Sequence, residues 1–196
     1  MRTNRLEAFS DGVLAIIITI MVLELEVPHE PTWGALGESA TSLLTYALSF
    51  VYVGIYWNNH HHMFQVVEDV TGGVLWANLD LLFWLSLLPA STKWMDETGF
   101  AQVPTVVYGV NLLAAAIAYY ALQLAILAGP SGPVLRQALG ADLKGKASPL
   151  MYLVGIGLSF VAPWLSVAVF VFSALVWLVP DRRMERFLAE SSGSRP

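Results

Sequence analysis

The sequence predicts an all-α membrane protein with six transmembrane helices per subunit. Three observations carry that expectation. Of 196 residues, 56% are hydrophobic and only 13% are charged, against about 25% charged in soluble domains. The mean hydropathy is +0.61, more apolar surface than a water-soluble core of this size can hide. The apolar residues also gather into runs close to the roughly 17–25 residues that cross a bilayer.

The runs have readable ends. The first extends from about Phe9 to Leu25 and stops at Glu26, Val27 and Pro28. The second covers Ser39 to Trp57, with Asn58 to His62 at its end. The third is Val74 to about Lys93, and the fourth is Pro104 to Leu127, closed by Gly129 and Pro130. The fifth, Ser148 to Ala162, and the sixth, Trp164 to Val179, are short. Pro163 between them fits either a tight turn or a kink in one long helix, but such a helix would overrun the bilayer. The first four runs show neither an inverted repeat nor a broken helix. Residues 1–186 therefore read as one six-helix domain and 187–196 as a short tail.

Charge sets the orientation. With the N-terminus in the cytoplasm, the inside segments hold Arg2, Arg5, Arg136, Lys144, Lys146, Arg182, Arg183, Arg186 and Arg195, and the outside loops hold Lys93 alone. That bias obeys the positive-inside rule and requires an even number of spans, with both termini cytoplasmic in a multi-pass protein of the cell membrane. The outer loops are acidic: Glu24, Glu26, Glu30, Glu38, Asp96 and Glu97. Most tryptophans, Trp57 and Trp76 among them, lie near span ends, where the interface favours them. The net charge of −5 argues against a nucleic-acid partner, which selects basic patches. The chain has no cysteine, which excludes disulfides and thiolate metal sites.

In the first span, Ile16, Thr19, Ile20 and Leu23 share one helical stripe, extended by Phe9 and Gly12. Asp11 points away from it, toward the face of Ala15 and Ile18. A carboxylate at a membrane boundary needs a partner. Ser10 and Asp11 could cap the helix start. Alternatively, Asp11 latches onto a donor at the same level, where the second span offers Trp57, Asn58, Asn59 and His60 to His62. Asp80 lies four residues after Trp76, near the cytoplasmic end of the third span, where an Asn or His could pair with it.

Arg5, Phe9, Ser10 and Asp11 spell R-x-x-x-F-S-D, followed by Gly12, Val13, Ala15, Ile16 and Thr19. This pattern resembles the signature of the transmembrane protein 175 family, the endosomal and lysosomal potassium channel, in its prokaryotic form. Trp57 with its histidines, the segment from Asn78 to Pro89 and that from Tyr108 to Tyr120 are similar too. The resemblance implies a homotetramer in the lipid bilayer, with the first helices lining the pore. It implies an apolar constriction and filter in which Ile16 forms the narrowest ring, Leu23 a second, Ile20 lies between, and Thr19 adds hydroxyls. Arg5, Phe9, Ser10 and Asp11 are then gating and structural elements, with Trp57, Asn58, His61, His62 and Asp80 as candidate members of the latch.

The carbonyl filter of familiar potassium channels, T-V-G-Y-G, is absent from the sequence. Thr71-Gly72-Gly73 falls in an expected cytoplasmic loop. An apolar ring offers no oxygen to replace hydration, so it selects by the cost of shedding water. Potassium releases water more readily than sodium, so modest K+ selectivity follows among monovalent cations, with K+ transiently near the Thr19 hydroxyls. No cofactor is expected. His60, His61 and His62 are consecutive, turn about 100° from one to the next, and cannot converge on one metal ion. An enzyme would need a nucleophile–base–orienter set, and none has suitable spacing. The alternative is a cation- or proton-coupled secondary transporter using Asp11, Asp80 and a histidine.

Overall fold

A computed structural model of the chain describes residues 3–67, 69–139 and 143–178. The proposed tail 187–196, the domain end at 186, and the terminal basic residues Arg2, Arg182, Arg183, Arg186 and Arg195 lie outside them. The described helices are α1 (Thr3–Leu23), α2 (Trp33–Glu38), α3 (Ala40–Phe64), α4 (Gly72–Ser86), α5 (Leu88–Glu97), α6 (Gln102–Leu127), α7 (Gly132–Leu139), α8 (Leu143–Leu158) and α9 (Pro163–Leu178). Four stretches are long and apolar enough to cross a membrane: Thr3–Leu23, Ala40–Phe64, Gly72–Glu97 and Gln102–Leu127. The two remaining apolar helices, α8 and α9, have 16 residues each.

The first helix starts earlier than its apolar run. Thr3 is already helical, and its hydroxyl donates to the Val67 carbonyl at 2.9 Å. Ser10 and Asp11 therefore lie about two turns inside α1, and neither caps its start. The second span, α3, runs on to Phe64, so the three histidines stand on its last turns.

The third span is not continuous, contrary to the expectation of unbroken helices. Leu87 separates α4 from α5, and Pro89 occupies the first turn of α5. A side chain explains the break. The Asn111 carboxamide of α6 donates to the Trp84 carbonyl at 2.8 Å and accepts from the Leu88 N–H at 3.2 Å and the Ser91 hydroxyl at 3.1 Å. In a continuous helix the Leu88 N–H would bond to Trp84 directly. Asn111 is inserted between them, and such insertion kinks a helix. Thr71 and the two glycines after it form no loop filter. The Thr71 hydroxyl accepts from the Val74 N–H at 3.3 Å, and Gly72 and Gly73 begin α4.

Pro163 opens α9 after a turn at 159–162, so α8 and α9 form a hairpin rather than one kinked helix. Gly109 of α6 and Gly155 of α8 both abut the ring of Phe170 on α9, which is fully buried. Small residues let backbones approach closely where the surrounding solvent gives no hydrophobic drive to pack. The Tyr52 hydroxyl of α3 donates to the Phe170 carbonyl at 2.6 Å. The loops carry helices that hydropathy did not mark: α2, capped by Thr32, and α7, which buries Leu135 and Ala138.

Candidate functional site

The first helix has a buried face and an exposed one. Leu6, Ser10, Leu14, Ile17 and Met21 recur at helical spacing and pack into the core against α3 and α4. Ile16, Ile20 and Leu23 are 59%, 42% and 81% exposed, and Phe9 is 52% exposed. Their stripe lies about a third of a turn from the buried face. Among the described residues, these apolar side chains are left exposed to differing degrees, Leu23 most of all. Thr19 is also exposed, and its hydroxyl donates to the Ile16 carbonyl at 2.9 Å. With its proton so engaged, the Thr19 oxygen presents lone pairs outward, as a cation ligand must.

The buried face holds a closed polar chain. The Ser10 hydroxyl donates to the Leu6 carbonyl at 2.9 Å and accepts from Asn78 Nδ2 of α4 at 3.0 Å. Asn78 Oδ1 meets His60 Nε2 of α3 at 2.8 Å, so that ring nitrogen carries the proton and donates. The His60 ring also packs on Phe64, with centroids 4.5 Å apart. Ser10, Asn78 and His60 are all buried. Three helices are thus fixed in register at one level by groups that would be costly to leave unpaired.

Asp11, next to Ser10, faces another way. Its carboxylate accepts from Trp57 Nε1 of α3 at 3.0 Å, at an exposed position. The Trp57 ring stacks on His61 at 6.0 Å between centroids with 15° between planes. His61 Nε2 contacts the Gln65 side chain at 2.9 Å. The His62 ring lies 5.7 Å from that of His61. Among the three histidines, His60 is the one in the buried chain. Arg5 and Asn58 lie exposed. Asp80 is exposed on α4 and takes no part in the chain, because two residues from Asn78 is the opposite helix face. Among the described residues no group of three His, Cys, Asp or Glu side chains could hold a metal ion.

Asn78 was not singled out by sequence reasoning. The signal was available: an amide six residues into an apolar helix must find partners. Choosing among three adjacent histidines required the helix phase that only the packed structure supplies.

This arrangement can be compared with known proteins. A potassium channel of Chryseobacterium sp. is 49% identical over 192 residues, covering 97% of this chain and 100% of the relative. The chain belongs to the TMEM175 family. The family model, described as "Endosomal/lysosomal potassium channel TMEM175", matches residues 5–89, which contain α1 from Arg5 onward and all of α3 and α4. A potassium channel of Streptomyces collinus is 36% identical over 128 residues, 61% of this chain and 62% of that protein. The crystal structure of a lysosomal potassium-selective TMEM175 homologue from Chamaesiphon minutus superposes with a TM-score of 0.76 at 31% identity, covering 90% of this chain and 96% of that one. The matched region of the TMEM175 family model holds every residue of the Ser10–Asn78–His60 chain and the Asp11–Trp57 contact. The family is one of channels, not enzymes.

Proposed function

We infer that this chain is a potassium-permeable channel of the cell membrane, assembled as a homotetramer whose four α1 helices line the pore. The observation that carries the reading is the exposed stripe of Ile16, Ile20 and Leu23, held on a helix whose adjoining face, about a third of a turn away, is bolted to its own subunit through Ser10. Membership of a family with potassium-channel relatives supports it. Four copies facing one axis would cover the stripe and form stacked apolar rings, with Ile16 the narrowest. Such rings pass an ion only after it sheds water, which favours K+ over Na+ modestly. Thr19 oxygens beside the Ile16 ring offset part of that cost. The permeant K+ is the chemical partner, and no cofactor is needed.

In this reading α8 and α9 are the fifth and sixth spans. Both termini then lie in the cytoplasm, on the side that carries nine of the ten Lys and Arg residues. A carrier is the competing reading, and one observation favours it: the break at Leu87, since carriers use broken helices as ion sites. Here the Trp84 carbonyl and the Leu88 N–H, freed by the break, are both bonded to Asn111.

Ile16→Asn tests the filter. In liposomes with K+ on one side and Na+ on the other, the wild-type current should reverse toward the potassium potential. The variant should wet the constriction and move the reversal toward zero. Unchanged ion ratios would remove Ile16 from the filter, and solute uptake coupled to a gradient without such current would favour the carrier.

A further inference from the structure

The Leu23 end of α1 is tied to the rest of the subunit differently from its Ser10 end. Glu24 follows Leu23 and continues the helical path, its N–H bonding to the Ile20 carbonyl at 3.2 Å. The Lys93 ammonium of α5 binds the Glu24 carboxylate. A second carboxylate, Glu97, lies 3.8 Å from the same ammonium, one turn along α5. The contact borders a cleft of about 160 Å³ between α1, α3 and α5, which Glu26 and Asp96 also line. One ammonium therefore stands among four carboxylates.

Lys93 stands on a rigid base. Its neighbour Thr92 is buried and shares a 2.8 Å hydrogen bond with Ser49 of α3, which in turn meets the Tyr108 hydroxyl of α6 at 3.0 Å. Asn111 fixes the start of the same half-helix. A group that positions another must itself be held, and α5 meets that condition because the break at Leu87 gives it its own anchorage.

We propose that Lys93 is a positioning residue for the pore: by holding Glu24 it fixes both the place and the charge of the helix end that presents Leu23. The proposal rests on the reading that α1 lines the pore. Lys93 carries the only positive charge assigned to the outer loops, and without it one more carboxylate per subunit faces the permeating ions. The Lys93 and Glu24 side chains are 42% and 37% exposed, so the charge effect must be screened by salt while the positioning effect persists.

The test uses single-channel recording of the full chain in planar bilayers, comparing Lys93→Met, Glu24→Gln and the swapped pair Glu24→Lys/Lys93→Glu. In about 0.01 M KCl, where the Debye length is about 30 Å, Lys93→Met should raise conductance about twofold or more by attracting cations. In about 1 M KCl, where it is about 3 Å, conductance should return to the wild-type value, but open dwell times should remain several-fold shorter. Glu24→Gln should shorten dwell times in the same way without the conductance gain. The swapped pair should restore dwell times. Wild-type dwell times for Lys93→Met in high salt, or a folded swapped pair that restores nothing, overturn the proposal. Should the swapped pair not assemble, unaltered dwell times in Glu24→Gln overturn it equally. Ile16→Asn is recorded in parallel. If it changes the K+/Na+ ratio while Lys93→Met is silent, the Lys93 role alone falls. If Ile16→Asn also changes nothing, the pore assignment falls and this proposal with it.

Discussion

Replacing Asn78 with Ala removes the middle of the buried chain that joins α1, α3 and α4. Two interhelical hydrogen bonds disappear, to Ser10 at 3.0 Å and to His60 at 2.8 Å. Interhelical hydrogen bonds inside membranes average about 0.6 kcal/mol and reach about 1.7. Two of them give roughly 1–3 kcal/mol. The upper part of that range is expected, because His60 is 2% exposed and its Nε2–H would be left buried without an acceptor. For a chain of this size each kcal/mol shifts the midpoint by about 2–4 °C, so thermal unfolding in detergent should fall by roughly 4–12 °C. The seven tryptophans supply the fluorescence signal. Ser10→Ala should cost less, since it breaks one interhelical bond and leaves the Asn78–His60 pair intact. The double variant Ser10→Ala/Asn78→Ala should cost less than the two singles added, as coupled neighbours do. An Asn78→Ala midpoint within about 1 °C of wild type would show that the chain holds nothing together, and strict additivity would show that its members act separately.

Three further substitutions test the packing of the helices around α6. Gly155→Ala sets a methyl against Phe170, whose ring is pinned from another side by Gly109, where an added Cβ would lie 2.7 Å from it. Overpacking of this kind costs about 1–3 kcal/mol, so the unfolding midpoint should drop by several degrees, while Gly157→Ala, with nothing within 4 Å, should leave it unchanged or raise it. Asn111→Leu strips the break at Leu87 of its bridge and leaves the Leu88 N–H without its acceptor. Amide exchange at Leu88 should accelerate by about 5–150-fold, the equivalent of about 1–3 kcal/mol, and exchange unchanged at that amide would mean the half-helices are held by packing alone.

What the sequence revealed follows the physics each signal depends on. The long apolar runs of α1, α3 and α6 were legible because a bilayer demands hydrophobic length, and length is written in sequence directly. The exposed stripe on α1 was legible as a stripe, because helical period alone places Ile16, Ile20 and Leu23 together; that it lies exposed, a third of a turn from the buried face, needed the packed neighbours. Helix ends were less legible. The mostly polar residues 3–8 gave no apolar signal, yet they are helical, and the Thr3 hydroxyl there bonds to the Val67 carbonyl, a partner 64 residues away. The break at Leu87 was illegible for the same reason: hydropathy is continuous from Val74 onward, and the cause is Asn111 on another helix. Pro89 was the local hint, though proline at a first helical turn and proline in a kinked span look alike in sequence. The histidines show the limit most sharply. Three identical side chains in a row differ by about 100° each, and that rotation alone buries His60 against Asn78 and leaves His61 under Trp57. The same rotation separates Ser10 from Asp11. One turns into the subunit and the other along its surface to Trp57, so two adjacent residues of one motif hold α1 by two different mechanisms: a buried chain that sets register, and an exposed contact that can be broken without unfolding the core. The buried chain fixes where α1 sits against α3 and α4, and the surface contact adds a second tie to α3 one residue later.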